Sequence, residues 1–113
     1  MNIEVRFLGL KSSNALREHV LRRIRSQLSH FGKEVTAVLV RIADINGPKG
    51  GVDKRCQVTV RGPRLGSATL NDLSGDAYSA ADLAIERISR SVRRELDRVR
   101  SPRRRGHTLR EAL

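Results

Sequence analysis

The segment from Asp76 to Arg100 acquires two contrasting faces when it is drawn as a helix. Its apolar side chains recur at alternating steps of three and four residues, which is the spacing of one buried helix face: Tyr78, Ala81, Ile85, Ile88, Val92, Leu96 and Val99. At ~100° per residue, four arginines fall together on the opposite side: Arg87, Arg90, Arg94 and Arg98. No acidic residue interrupts that row. The pattern predicts a long helix that buries one face and presents a row of guanidinium groups on the other.

The segments before this helix predict the layer that it covers. Four of them have the alternation or the Val and Ile content of strands, namely residues 3–7, 35–43, 55–61 and 67–73. Another amphipathic segment begins after a serine N-cap at Ser12 or Ser13 and ends near Phe31, and Asp76 is a good N-cap for the last helix. The order β-α-β-β-β-α predicts an α+β fold, similar to double-stranded RNA-binding domains. Two helices pack on one face of a four-stranded sheet, because each has one apolar stripe to bury.

The length of 113 residues predicts a single domain. We expect this domain to span residues 1–100 and to be the binding unit. Residues 101–113 contain a proline and three consecutive arginines, and they are expected to form a basic flexible tail. Such a tail acts either as a solubility tail or as a short electrostatic arm.

The charge balance indicates the kind of partner. There are 23 Lys and Arg residues against 12 Asp and Glu, a net charge of +11, so the candidates are nucleic acid, an anionic membrane surface or an acidic protein. Like charges at Arg90/Arg94 and Arg94/Arg98 cost roughly 0.2–0.5 kcal/mol each, and a polyanion would supply the missing countercharge. Aromatic residues make up only 3% of the chain, which weighs against a single-strand binder that stacks bases. Nucleic acid with a structured backbone is therefore favoured.

Other chemistry finds little support in the sequence. Cys56 is the only cysteine and alternates with Val58 and Val60, which indicates a buried, inert thiol and a reducing compartment. The histidines have no metal-ligand spacing, and no nucleophile has a recognisable base beside it. We therefore expect no enzyme activity, no cofactor, no metal and no small-molecule substrate. No apolar run spans a membrane and the N-terminus is unlike a secretory signal, so we expect a cytoplasmic protein.

A glycine-rich connection joins the second and third predicted strands. Its Gly47-Pro48-Lys49-Gly50 segment matches the GxxG loop of KH domains. The KH loop joins two helices, whereas the flanks here have the pattern of strands, so a glycine hairpin loop is the favoured interpretation. Lys54 and Arg55 follow this loop and could bring it close to a phosphate.

Three segments resemble one known family. Residues 76–82 read Asp-Ala-Tyr-Ser-Ala-Ala-Asp and, with the arginines that follow, resemble the second helix of the hibernation-promoting factor and ribosome-associated inhibitor family. Residues 15–18, Ala-Leu-Arg-Glu, resemble the start of that family's first helix. Residues 46–56 resemble the corresponding loop in one branch of the family. The likeness covers about residues 1–100.

The resemblance implies a non-catalytic protein that binds the small ribosomal subunit and its ribosomal RNA. Members occupy the channel used by messenger and transfer RNA and keep idle ribosomes inactive, a role associated with stress and stationary phase. Five arginines match basic positions of the family: Arg23, Arg87, Arg90, Arg94 and Arg98. Charge and placement alone add Arg22, Arg25, Lys54 and Arg55 to the predicted RNA-binding set.

The chain departs from the family pattern in two respects. It is too short to contain the C-terminal dimerisation domain of the long members, and its tail differs from that of the inhibitor type. Whether it promotes ribosome dimers or silences single ribosomes is left open. Two other functions also stay open: a generic structured-RNA module of the double-stranded or KH-like kind, and a basic module that binds an acidic protein such as a transcription factor.

Overall fold

The computed structural model describes residues 1–45 and 53–100, with the backbone alone for residues 99 and 100. The strands are β1 (Asn2–Leu8), β2 (Ala37–Asp44), β3 (Lys54–Gly62) and β4 (Gly66–Ser74), and the helices are α1 (Asn14–Leu28) and α2 (Ala77–Arg100). A 3-10 segment, Ser29–Glu34, follows α1. The predicted order β-α-β-β-β-α is confirmed. The predicted GxxG loop and the basic tail lie outside the described residues.

The four strands form one mixed sheet in chain order, β1-β2-β3-β4. β1 and β2 are parallel, and the other two pairs are antiparallel, so β2 to β4 form a meander. The register places Val5 beside Val40, Val40 beside Val58, and Val58 beside Leu70. This apolar row crosses the sheet on one face. The parallel pair needs a crossover connection, and α1 supplies it.

Both helices cover that apolar face. α2 contacts β3 and β4, while α1 contacts β1 and α2. The buried residues of α1 are Leu16, Val20, Ile24 and Leu28. Those of α2 include Ala81, Ile85, Ile88, Val92 and Leu96, and the sheet contributes Val38, Val40, Ile42, Cys56, Val58 and Val60. The core is therefore aliphatic. It lies between one sheet and one helix layer, and this layer arrangement is the predicted one.

The helix starts follow the predicted caps. The Ser13 hydroxyl accepts a hydrogen bond from the Leu16 amide at 3.1 Å, and the Asp76 carboxylate accepts one from the Ser79 amide at 3.1 Å. These side chains satisfy backbone donors that have no partner within a helix. The end of α1 differs from the prediction, because the helix stops at Leu28 and the chain tightens into the 3-10 segment.

Gly62 explains how the end of β3 passes that 3-10 segment. A Cβ atom at this position would lie 1.8 Å from the carbonyl oxygen of Glu34. Only glycine allows the two backbones to come this close. The nearby Arg64 guanidinium forms an ion pair with the Glu34 carboxylate at 3.5 Å, which adds a second link between the two segments.

Candidate nucleic-acid interface

The arginine row of α2 lies on the outside of the molecule. Arg87, Arg90 and Arg94 are exposed, and Arg98 is partly exposed. Because the apolar stripe of the same helix is buried against the sheet, the arginines point away from the core. They are separated by eleven residues from first to last, which corresponds to about 16 Å along the helix axis.

Three of these four arginines form ion pairs with nearby acids. The Arg87 guanidinium donates to the Asp72 carboxylate of β4 at 2.9 Å and to the Asn71 carbonyl at 3.3 Å. Arg90 pairs with Glu86 at 2.9 Å, and Arg98 donates to both carboxylate oxygens of Glu95 at 2.7 and 2.9 Å. The prediction of an uninterrupted row holds for the row positions themselves, but the acids beside it neutralise part of its charge.

Arg94 is different from its neighbours in the row. It is exposed and forms no ion pair with any residue in the ranges 1–45 and 53–100. Its guanidinium therefore keeps its full charge and all five N–H donors for an external partner. Arg22 and Arg25 on α1 share this property, since both are exposed and neither has an ion-pair partner in the described part of the chain.

Several polar contacts join the two helices into one layer. The Ser89 hydroxyl of α2 donates to the Gln27 carbonyl of α1 at 3.2 Å, and an Arg93 nitrogen lies 3.5 Å from the His30 ring. Arg23 is half-buried and forms an ion pair with Asp82 of α2 at 3.2 Å. The two helices therefore form one layer. We call the predicted arginines of this layer the helical face: Arg22, Arg23, Arg25, Arg87, Arg90, Arg94 and Arg98.

Asp82 is a functional candidate that the sequence reasoning did not single out. Its carboxylate contacts His19 at 2.7 Å as well as Arg23, so it links two side chains of α1 to α2. The ring of His19 in turn lies edge-on to Tyr78, with 5.0 Å between the ring centroids. The sequence did contain a signal for Asp82, because Tyr78 and Asp82 are four residues apart and both belong to the Asp-x-Tyr-x-Ala-x-Asp motif.

The predicted burial of Tyr78 is wrong. Its side chain is exposed, at 37% of its full accessibility, whereas Ala80 and Ala81 take the buried positions of this turn. The periodicity gives the direction of a side chain around the helix axis, but not what covers it. At the start of α2 the neighbouring group is the His19 ring of α1, which leaves one side of the tyrosine open to solvent.

Lys54 and Arg55 do not lie on the helical face. The Lys54 ammonium lies 3.0 Å from the Asp53 carboxylate and 3.7 Å from that of Asp44, and its pairing with Asp53 raises its pKa. Arg55 is exposed on the side of β3 opposite to Cys56, so it points away from both helices. Seven of the nine predicted residues thus lie on the two helices, and these two lie on β3.

Cys56 is buried in the core, as the sequence predicts. Burial, together with the negative charge of Asp72, raises the pKa of its thiol to about 12, well above the ordinary value of 9.0. The thiol therefore stays protonated and inert at neutral pH. Among the described residues, no three His, Cys, Asp or Glu side chains are grouped as a metal site would require. No helix within those residues is long and apolar enough to cross a membrane.

Comparison with known families decides what kind of protein this is. Residues 3–100 match the family model described as sigma 54 modulation protein / S30EA ribosomal protein. The chain belongs to this S30EA family. The resemblance inferred from the second helix is therefore confirmed. The S30EA family consists of non-enzymatic ribosome-binding factors, which also confirms the prediction that the chain is not an enzyme.

Solved structures share the S30EA fold seen here. The N-terminal domain of Thermus thermophilus Protein Y superposes with a TM-score of 0.68 at 23% identity, covering 83% of this chain and 98% of that one. A ribosomal subunit interface protein from Coxiella burnetii superposes with a TM-score of 0.69 at 22% identity, covering 83% and 96%. At this level of identity the likeness supports the fold alone. No curated protein matches the sequence.

Proposed function

We propose that this S30EA protein is a hibernation factor that binds the small ribosomal subunit through its helical face. The binding site is the channel used by messenger and transfer RNA, and occupancy of that channel inhibits translation on idle ribosomes in the cytoplasm. The observation that carries the proposal is the set of exposed arginines on the layer that α1 and α2 form, in a chain of a ribosome-associated family. The binding unit is the domain of residues 1–100, and the tail is either a solubility tail or a short electrostatic arm.

The helical face suits a structured RNA backbone. Arginine offers N–H donors in a planar fork that fits a phosphate, and a guanidinium that already holds a carboxylate on one edge still has donors on another. The pairs Arg90–Glu86 and Arg98–Glu95 therefore hold the side chains in place without consuming all their donors. Arg22, Arg25 and Arg94 supply charge that is not neutralised within the described chain. No reaction is needed, because a rigid domain in the channel excludes other ligands by its volume.

The mechanism requires specific binding to the ribosome and not only attraction to RNA. Binding to purified small subunits should survive a large excess of generic double-stranded RNA, and added protein should inhibit an in vitro translation reaction. Equal competition by the generic duplex would identify a general structured-RNA module instead. Binding of the chain to an acidic protein, unchanged by nuclease treatment, would favour the protein-interaction alternative.

The consequence for whole ribosomes is measured separately. Sucrose-gradient profiles of stressed cells, with and without the protein, distinguish the two possible outcomes of hibernation. Dimeric ribosomes that depend on the protein would assign it a role in dimerisation. Co-migration with single ribosomes alone would assign it to the silencing of single particles.

A further inference from the structure

The face of the sheet that the helices do not cover is also basic. On this open sheet face, four arginines stand against one acid, Glu4: Arg6, Arg41, Arg55 and Arg61. Glu4 pairs with Arg6 at 2.6 Å. Arg41, Arg55 and Arg61 are all exposed, and none forms an ion pair with a residue in the described ranges. The charges of Arg41, Arg55 and Arg61 therefore have no ion-pair partner within the described part of the chain.

Three of these arginines are close neighbours. Arg6 and Arg41 are register partners on the parallel strands β1 and β2, where like charges repel. Arg41 pairs with Gln57 of β3, and Arg55 stands two residues further along that strand, a diagonal of about 7–8 Å. This is the scale on which neighbouring phosphates follow each other along one RNA strand. Arg61 continues the basic surface about 20 Å away along β3.

The remaining side chains of the face identify the class of partner. On β3 and β4 its middle is polar, with Gln57 beside Asn71 and with the hydroxyls of Thr59 and Thr69 2.9 Å apart, and on β2 it contains the partly buried Leu39. Arginine, threonine, asparagine and glutamine are the side chains that contact phosphate and sugar. Protein interfaces are instead centred on large, exposed apolar or aromatic anchors. Here the exposed leucines, Leu8 and Leu73, lie at one end of the strands, and the central Leu39 is partly buried. No strand residue on this face is aromatic, so bases are not stacked here.

We propose that the open sheet face is a second RNA-binding surface, which contacts the sugar-phosphate backbone. The protein is then held between two RNA segments, one on the helical face and one on the sheet, and is not docked on a single segment. This inference rests on the proposed function, since it assumes that the helical face binds ribosomal RNA. It explains why Arg55 lies on the opposite side of the molecule from the helical arginines.

Binding measurements with a matched control test the inference. The variant Arg41→Gln/Arg55→Gln loses two positive charges from the open sheet face, and Lys11→Gln/Lys33→Gln loses two from exposed positions outside both faces. For purified small subunits, the sheet variant should bind about tenfold or more weakly. The slope of log K against log salt should become shallower by roughly 1.4–1.8, as expected for two lost phosphate contacts. The lysine variant should stay within about twofold of wild type. Equal losses in the two variants would overturn the inference, because net charge alone would then explain the effect.

Tethered cleavage locates the RNA directly. Iron-EDTA is attached to a cysteine introduced by Thr69→Cys on the sheet, or by Ser26→Cys on the exposed side of α1. The buried Cys56 does not compete for the label. We expect both probes to cleave ribosomal RNA, at different nucleotides. Cleavage from position 26 but not from position 69 would refute the second surface and leave the proposed function standing. Absence of cleavage from both would refute the proposed function, and this inference with it.

Discussion

Neutralising the arginine row of α2 should weaken ribosome binding in a way that depends on salt. The variant Arg87→Gln/Arg90→Gln/Arg94→Gln/Arg98→Gln removes four potential phosphate contacts. Glutamine keeps an unbranched stem with a polar end group at each position. Each lost contact reduces the salt slope by about 0.7–0.9. The slope of log K against log salt should therefore become shallower by roughly 2.8–3.6. The affinity lost between 50 and 200 mM salt then shrinks by about 50- to 150-fold.

The same substitutions should cost the fold little. They remove the surface ion pairs of Arg87, Arg90 and Arg98, each worth about 0.2–1 kcal/mol at this exposure. The summed loss of about 0.6–3 kcal/mol is smaller than the ~5–15 kcal/mol that stabilises a typical domain. Glutamine is preferable to glutamate here, because a glutamate at position 87 would lie beside Asp72 and add repulsion. Circular dichroism and thermal unfolding check that the variant is folded.

Titration of labelled protein with purified small subunits at several salt concentrations measures the effect. Two single variants sharpen the test. Arg94→Gln should weaken binding without changing the free energy of unfolding, because Arg94 has no ion-pair partner in the described chain. Arg87→Gln should lower both, because it also breaks the link to β4. An unchanged salt slope in a folded quadruple variant would refute the assignment of the row to RNA.

Three further predictions concern the scaffold beneath the helical face. Asp82→Ala removes the link between the helices, so it should lower the free energy of unfolding by about 0.5–1 kcal/mol and weaken ribosome binding. The control Asp97→Ala, at an exposed position, should leave the free energy of unfolding and the binding unchanged. Chemical denaturation measures the first quantity and subunit titration the second. Gly62→Ala should destabilise the fold by about 2 kcal/mol or more through its backbone clash. Gly66→Ala has open space around it, but its φ of +69° strains an alanine, so it should cost about 1–2 kcal/mol; thermal unfolding compares the two. Because the pKa of Cys56 is raised to about 12 in the folded protein, the thiol of the unfolded chain loses its proton at a lower pH than that of the folded protein. The free energy of unfolding should therefore fall between pH 9 and 10 by up to ~1.4 kcal/mol. A Cys56→Ala variant should lack this decline.

The fold could be predicted from the sequence because its strongest patterns are local. The apolar spacing of α2 and the alternation around Cys56 each define a buried face before any long-range contact is known. Two helices with one apolar stripe each and four strands then leave few ways to build a core. The N-caps at Ser13 and Asp76 were predictable for the same reason, since capping involves residues only three positions apart.

The parts that could not be predicted depend on contacts between distant segments. Arg87 and Asp72 are separated by fifteen residues, so their pairing requires the packing of α2 on β4. The exposure of Tyr78 depends on which part of α2 is packed against α1, and the spacing of apolar residues within α2 does not contain that information. Strand alternation did place Arg55 opposite to Cys56. Its separation from the helical arginines could therefore have been inferred once both helices were assigned to the other side of the sheet.

The central claim is that the protein occupies the messenger and transfer RNA channel of the small subunit. Co-sedimentation with purified small subunits at low salt, with the channel either empty or filled by messenger and transfer RNA, tests it most directly. We predict stoichiometric co-sedimentation with empty subunits and its loss when the channel is filled. Failure to co-sediment with empty subunits, or binding that ignores the occupied channel, would contradict the account.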